Sequence, residues 1–154
     1  MLDEKLKCQI SLSGNVKIQL FDVNSNKLIR EIERKNLVVT SGRNLIRDLI
    51  NEASVTGVTH LAVGTGTTAV SAGDASLVTE QFRNTLTKRT PSSGSVTWSY
   101  YLSSTQANGN DLTEAGLFNA SSGGTMFARV THAAITKTSS IAVMYSWTLN
   151  IGAS

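Results

Sequence analysis

The chain has 154 residues, of which 40% are hydrophobic and 16% are charged. That length suits one domain with a sizeable core, and a surface kept soluble by Ser, Thr, Asn and Gly favours extended structure with many turns. The net charge of +3 comes from scattered Lys and Arg residues, so we expect no nucleic-acid partner.

The cysteine count and the hydropathy pattern limit the cellular compartments in which we expect this protein. Cys8 is the single cysteine, so no disulfide forms within the chain, which fits synthesis in a reducing cytosol. Residues 1–10 lack the apolar run of a signal peptide, and no segment approaches the roughly 20 apolar residues of a membrane span. We therefore expect no membrane partner.

Residues 1–10 are predicted to form an amino-terminal arm, and residues 11–154 a single domain. The first seven residues carry charges of both signs, which is typical of a segment that orders as it binds a partner. Leu2, Lys5 and Leu6 are the arm residues that we expect to contact that partner.

The first predicted elements are a β-hairpin and a short strand. Val16, Ile18 and Leu20 alternate with polar residues, which is the period of a half-buried strand. Residues 22–26 have the Asp, Asn and Ser composition of a turn, and residues 28–33 alternate again. Residues 37–39 continue this strand or form a third one.

Residues 41–53 predict one short α-helix. Thr40 or Ser41 is suited to cap the free N–H groups at its start, and Gly57 is the expected terminator. An apolar stripe recurs at helical spacing, formed by Leu45, Ile46, Leu49 and Ile50. We expect this stripe to close one side or end of the sheets.

The centre of the chain mixes strands with loops. Residues 58–63 are an apolar strand, and residues 64–68 are expected to connect it tightly to the next strand. A phosphate-binding loop there would need a lysine and a following helix, and neither is evident. Residues 77–87 fit a helix or a twisted strand, and residues 90–94 are predicted as a loop.

The carboxyl-terminal part predicts strands at residues 96–102, 112–118, 125–131 and 141–151. The last of these alternates without interruption, so a slip of one residue would exchange its two faces. Many short strands with turns between them predict a mainly β fold. We expect a single-domain antiparallel β-sandwich, or an open barrel, with one short helix near residues 41–53.

Side chains that could carry chemistry are dispersed. His60 and His132 are far apart, no cysteine and histidine share zinc-ligand spacing, and Cys8 has no evident base. We therefore expect no catalytic site, no metal and no cofactor. A glycoside hydrolase would need a carboxylate pair, and the candidates are Asp111 with Glu114 and Asp74 with Glu80.

Structural roles are favoured for the remaining candidates. Trp98 and Trp147 fall on apolar strand faces, which is typical of core packing. Glu80 is expected to pair with Arg83 and tie loops together, and Glu114 to tie the sheet to a loop. A basic patch for nucleic acid is the minority interpretation of four residues, namely Arg83, Lys88, Arg89 and Arg129.

Seven short segments follow one another in a specific order between residues 36 and 151. They are 36–43 (NLVVTSGR), 60–66 (HLAVGTG), 77–83 (LVTEQFR), 108–109 (NG), 114–118 (EAGLF), 126–129 (MFAR) and 147–149 (WTL). This order resembles small bacteriophage virion proteins of the tail-fibre or tail-collar kind. More loosely, it resembles the amino-terminal attachment domain of longer phage tail fibres.

The resemblance implies a non-enzymatic virion structural protein, made in the host cytoplasm and assembled as a symmetric oligomer, for which we expect a homotrimer. Its partners would be other copies of itself and other virion proteins, such as the major capsid or tail and baseplate subunits. A fibre attachment domain normally precedes a long shaft, whereas this chain stops at Ser154. A tail or baseplate adaptor and a capsid decoration (cement) protein both stay open, and Thr67 and Asp74 are the expected loop contacts.

Two other functions are alternatives. A carbohydrate-binding module for host recognition would stack an exposed Tyr100 or Tyr101 on a sugar ring. A hydrolase would use Asp111 and Glu114 as its carboxylate pair.

Overall fold

The structure is a computed structural model that describes residues 9–153. The arm residues Leu2, Lys5 and Leu6 lie outside this range. The described elements are β1 (Ile10–Asp22), β2 (Leu28–Lys35), β3 (Leu37–Val38), α1 (Thr40–Ile50), β4 (His60–Gly64), β5 (Glu80–Thr85), β6 (Lys88–Ser92), β7 (Ser95–Leu102), β8 (Asn110–Phe118), β9 (Met126–Lys137) and β10 (Ile141–Ala153).

The strands build two five-stranded sheets in which every pairing is antiparallel. The first sheet has the order β2-β1-β10-β7-β6, and the second has the order β3-β9-β8-β4-β5. The two sheets share no strand. The prediction of a mainly β antiparallel sandwich with one short helix is confirmed.

The centre of the first sheet is the pairing of β1 with β10, which runs from Ile10 opposite Ala153 to Asp22 opposite Ile141. Val16 and Ile18 are fully buried on β1, and each lies opposite a buried aromatic residue of β10. A register shifted by one residue would turn these side chains to solvent. Strict alternation in both strands therefore determines the register.

The main core lies between the two sheets. Trp98 on β7 packs edge to face on Phe127 of β9, with ring centroids 5.4 Å apart, and Trp147 on β10 is fully buried in the same core. Leu61 and Val63 of β4 also belong to it. A second, smaller cluster consists of Val39, Ala62, Leu77, Phe118 and Met126.

The second cluster lies on the outer face of the second sheet. Ala62 is the residue between Leu61 and Val63 on β4, and successive strand residues point to opposite faces. Leu77 reaches this cluster from the chain between β4 and β5. That connection, residues 65–79, therefore packs on the outer face of the sheet.

Helix α1 differs from its prediction at both ends. It begins one residue earlier, at Thr40, and Val39 is its N-cap without a side-chain hydrogen bond. The hydroxyl of Ser41 instead donates to the Met126 carbonyl at 2.7 Å. The helix ends at Ile50, well before Gly57, and Glu52 takes the positive φ of 53° just beyond it.

The apolar stripe of α1 is only partly covered. Leu45 is buried in the main core. In contrast, Leu49 is 44% exposed and Ile50 is 75% exposed. The end of the helix therefore presents apolar side chains to solvent.

Two loop predictions are corrected. Residues 64–68 are not a tight connection, because Gly64 ends β4 and the next strand starts at Glu80. For residues 77–87, where a helix and a twisted strand were both open, the structure has strand β5. Residues 90–92 belong to strand β6, where Pro91 is tolerated because β6 is an edge strand and needs no donor on its outer side.

Candidate functional site

A buried carboxylate on β8 anchors the long connection between β4 and β5. Glu114 is 0% exposed. Its Oε1 accepts hydrogen bonds from the backbone N–H groups of Gly66 at 3.0 Å and Thr79 at 2.8 Å, and its Oε2 accepts one from Val78 at 3.1 Å. One side chain therefore holds both ends of the connection against the sheet.

Arg129 on β9 compensates the charge of Glu114. Its Nε and Nη2 lie 3.0 Å and 2.9 Å from Glu114 Oε2. Its Nη1 donates to Asp74 Oδ2 at 2.8 Å, and its Nη2 donates to the Thr68 carbonyl at 2.9 Å. The guanidinium thus joins two carboxylates and the middle of the connection, and its buried charge is paired and hydrogen bonded.

Two glycines make room for this carboxylate. A Cβ at Gly66 would lie 2.5 Å from Glu114 Oε1 and 2.5 Å from Val78 Cβ. A Cβ at Gly64 would lie 2.4 Å from the Thr79 carbonyl oxygen. The glycines of residues 64–66 therefore permit a close approach of backbone to carboxylate, which explains them without a phosphate ligand.

The same contacts shift the two acidic pKa values. Burial alone would raise the pKa of Glu114, but the N–H groups of Thr79 and Val78 and the Arg129 guanidinium together lower it. Burial likewise opposes the shift at Asp74, whose pKa is lowered by the Ser71 N–H and by Arg129. Both carboxylates are therefore ionised at neutral pH, and Glu114 serves as an acceptor with no proton to donate.

A second clamp lies beside the first. The guanidinium of Arg83 donates to both carboxylate oxygens of Glu80, at 2.9 Å and 2.6 Å. Its Nη1 also donates to the carbonyls of Ala120 and Gly123, and its Cζ lies 3.6 Å from the centre of the Phe118 ring. Arg83 therefore fastens β5 to the turn between β8 and β9.

The carboxylate pairs considered for hydrolysis do not form one site. Asp111 is exposed and accepts a hydrogen bond from the Thr136 hydroxyl at 2.6 Å, whereas Glu114 is buried. Asp74 and Glu80 are bound to different arginines. Each of these four carboxylates is bound to a side chain of the protein, which accounts for its position without a catalytic role.

The histidines lie apart in the fold. His60 is half-buried on β4 and contacts the hydroxyls of Thr59 and Thr85 at 2.8 Å and 3.3 Å. Burial, and then Arg83, lowers its pKa. His132 is 7% exposed, with Nδ1 2.9 Å from the Ala133 carbonyl oxygen. Among residues 9–153, no group of three His, Cys, Asp or Glu side chains is arranged to hold a metal.

Other candidates fall in varied places. Tyr100 is 2% exposed and donates to Gln106, so its expected exposure was wrong, while Tyr101 is 43% exposed. Thr67 is exposed and borders a depression of about 280 Å³. Arg83 and Arg129 are engaged internally, which leaves Lys88 and Arg89 on the β6 edge as the exposed part of the supposed basic patch.

The role of Arg129 was missed by sequence reasoning. Its neighbours Met126, Phe127 and Ala128 on one side and Val130 on the other are all buried. An arginine inside a continuous apolar strand needs a buried carboxylate partner, and Glu114 occupies a similarly apolar strand. That pairing of charged residues in apolar strands was the available signal.

No family model matches this chain, and neither a curated protein nor a solved structure does. Within the described part of the chain, no helix is long and apolar enough to span a membrane.

Proposed function

We propose that this protein is a non-enzymatic structural subunit of a bacteriophage particle, a symmetric oligomer, in our expectation a homotrimer, that binds other particle proteins. The observation that carries the proposal is the convergence of the resembling segments on Glu114. Residues 64–66, 77–83, 114–118 and 126–129 are separated in sequence but meet in one buried network.

This convergence gives the resembling segments a physical meaning. Glu114 and Gly66 are 48 positions apart, so their contact depends on the whole fold rather than on local structure. Gly66 provides space, Glu114 and Arg129 provide the paired charge, and Val78 provides an N–H donor. The segments act together as one scaffold, which supports a shared fold with phage virion proteins.

The chemistry of the network supports a structural role. A general acid needs a proton to donate and a nucleophile needs a free lone pair facing a substrate. The oxygens of Glu114 are occupied by three backbone N–H groups and one guanidinium. Such an arrangement stabilises a long surface connection.

Exposed apolar side chains support association with other chains. Ile10, Ile50 and Ile151 are 65%, 75% and 47% exposed and border one depression. Contiguous apolar surface on a folded chain is typical of a protein interface. A virion subunit would bury such surface against its neighbours and gain stability from them.

The proposal is tested on purified protein and on purified particles. Sedimentation equilibrium is expected to give a molar mass about three times the 16.4 kDa of one chain. Mass spectrometry of particles from a culture that carries the gene is expected to detect its peptides. A monomer at high concentration together with absence from particles would refute the proposal.

Copy number decides between the two locations on the particle. A decoration protein covers the shell and is expected in hundreds of copies, whereas a tail or baseplate adaptor is expected in a handful. Quantitative mass spectrometry against the major capsid protein measures this ratio.

A further inference from the structure

An exposed groove lies where β1 begins, β10 ends and α1 passes beside them. Its first lobe has a volume of about 340 Å³ and is bordered by Ile10, Leu12, Arg43, Ile46, Arg47, Ile50 and Ile151. Its second lobe, of about 300 Å³, shares Ile10, Leu12 and Arg43 and continues past Asn36 and residues 37–38. We call the two lobes together the α1 groove.

The first lobe is apolar and open to solvent. Ile10, Ile50 and Ile151 come from three different elements and are all well exposed. Their apolar surface would be removed from water by an apolar side chain placed between them. This lobe fits leucine-sized residues.

The second lobe and its rim are polar. The side-chain amide of Asn36 is inaccessible to solvent at both Nδ2 and Oδ1, and neither atom has a hydrogen-bond partner among the described residues. Because no water-sized atom can reach this amide, it belongs to the wall of the lobe and does not contact an occupant of the groove.

The rim carries positive charge. Arg43 donates to the Thr40 hydroxyl at 3.1 Å, and no carboxylate of residues 9–153 forms a salt bridge with it. Arg47 contacts its neighbour Asp48 at 2.6 Å. The rim therefore favours an occupant with an acidic group next to its apolar residues.

We propose that the α1 groove binds the amino-terminal segment, residues 1–8, of a second copy of this chain. In that segment the apolar Leu2 is followed directly by the acidic Asp3 and Glu4, and the apolar Leu6 lies between Lys5 and Lys7. In this arrangement Leu2 and Leu6 enter the apolar lobe, and the carboxylates of Asp3 and Glu4 face Arg43. This inference deepens the proposed function and rests on the assembly of several copies.

A second copy fits better than the same chain. Ile10 is the first residue of β1 and already borders the groove. To enter the groove of its own copy, the segment before Ile10 would have to reverse direction. A chain reversal takes about four residues, here residues 6–9, so Leu6 would be part of the turn and could not enter the groove. The segment of another copy can place both leucines.

Disulfide trapping tests the contact, in a background in which Cys8→Ser removes the native thiol. One protein carries Leu6→Cys and another carries Ile50→Cys, and the two are mixed and oxidised. We expect a disulfide between residues 6 and 50, identified by peptide mass, that joins two chains. The control replaces Ile50→Cys by Asn24→Cys, an exposed position at the far end of β1, roughly 40 Å away, and is expected to give no such bond.

Two outcomes of this experiment would overturn the inference. One is the absence of a disulfide between residues 6 and 50. The other is that the bond forms only within one chain, when both substitutions are placed in the same molecule. Neither outcome refutes the proposed function, which fails instead if the chain is monomeric and absent from particles.

Charge reversal gives a second test that does not need a thiol. Arg43→Glu is expected to weaken self-association roughly tenfold, because like charges then face each other. Adding Asp3→Lys and Glu4→Lys to the same chain is expected to restore it. Unchanged association in the single variant, or no rescue in the combined one, would contradict the proposed pairing.

Discussion

The guanidinium of Arg129 and the carboxylate of Glu114 form a paired contact at 3.0 Å and 2.9 Å, with side chains that are 1% and 0% exposed. Through their other hydrogen bonds, these two side chains link the outer face of the second sheet to residues 65–79. Burying two charges is favourable only when each satisfies the other and the remaining hydrogen bonds are made. Both conditions hold here, and this defines how the site responds to substitution.

Removal of one partner of this pair is expected to be severely destabilising. Glu114→Ala leaves the Arg129 charge with Asp74 alone and leaves three backbone N–H groups without their acceptor. We expect a loss of about 3–5 kcal/mol in the free energy of unfolding, measured by urea denaturation, or failure to fold. Glu114→Gln keeps the volume and is expected to lose less.

The matched control is an exposed carboxylate. Glu31 lies 3.8 Å from the Lys17 ammonium, with both side chains well exposed. Glu31→Ala is expected to change the stability by less than about 1 kcal/mol. Equal losses for Glu31→Ala and Glu114→Ala would contradict the role of the buried pair.

Acid is expected to weaken the same network. The pKa of Glu114 is lowered in the folded protein, so the unfolded chain, with a carboxyl pKa near about 4.3, takes up its proton first as the pH falls. The stabilising contribution is therefore complete above about pH 4.3 and is lost as the pH falls through the folded pKa. Urea unfolding between pH 3 and pH 7 measures this slope. In Glu114→Gln the slope is expected to be smaller, and parallel curves would exclude Glu114 as its source.

His132 is expected to produce a second pH dependence. Burial, and then the nearby charges of Arg34 and Arg30, lower its pKa despite the Ala133 carbonyl. The unfolded histidine titrates near about 6.5. Above that pH the full contribution of neutral His132 to the free energy of unfolding is present, and below it this contribution declines until the pKa of His132 in the folded protein is reached.

His132→Phe is expected to flatten the decline below pH 6.5, since the ring volume is kept and the titrating group is removed. The other histidine of the chain, His60, provides the control. It is more exposed, so His60→Gln is expected to change the profile less. A profile unaffected by His132→Phe would contradict this assignment.

Gly42 in α1 is expected to tolerate no side chain. A Cβ there would lie 2.0 Å from the Phe127 carbonyl oxygen, which is backbone and cannot move aside. Alanine in a helix is normally favoured over glycine by about 1 kcal/mol. Gly42→Ala is nevertheless expected to lower stability by about 1–3 kcal/mol, measured by thermal and urea unfolding.

Gly73 provides the control for this substitution. A Cβ there would meet nothing within 4 Å. Gly73→Ala is expected to be neutral or slightly stabilising, because it restricts the unfolded chain. If Gly42→Ala were as stable as Gly73→Ala, the close packing of α1 on β9 would be wrong.

The amino-acid sequence by itself determined the strands that alternate without interruption. Val16, Ile18 and Leu20 on β1, and residues 141–151 on β10, alternate with a period of two. This period is a local property, because neighbouring strand residues face opposite sides. The period predicts that each segment is a strand and which of its faces is buried. The register of β1 on β10 keeps the two buried faces on the same side of the sheet.

Tertiary structure alone decided the path of residues 65–79 and the cap of α1. Residues 65–79 have small polar residues without a period, and their path depends on Glu114, which is 35 to 48 positions away in sequence. Ser41 was suited to cap α1, but the Met126 carbonyl on β9 takes its hydroxyl. Contacts between residues far apart in sequence determine the path of residues 65–79 and the partner of Ser41. The local sequence pattern does not predict these contacts.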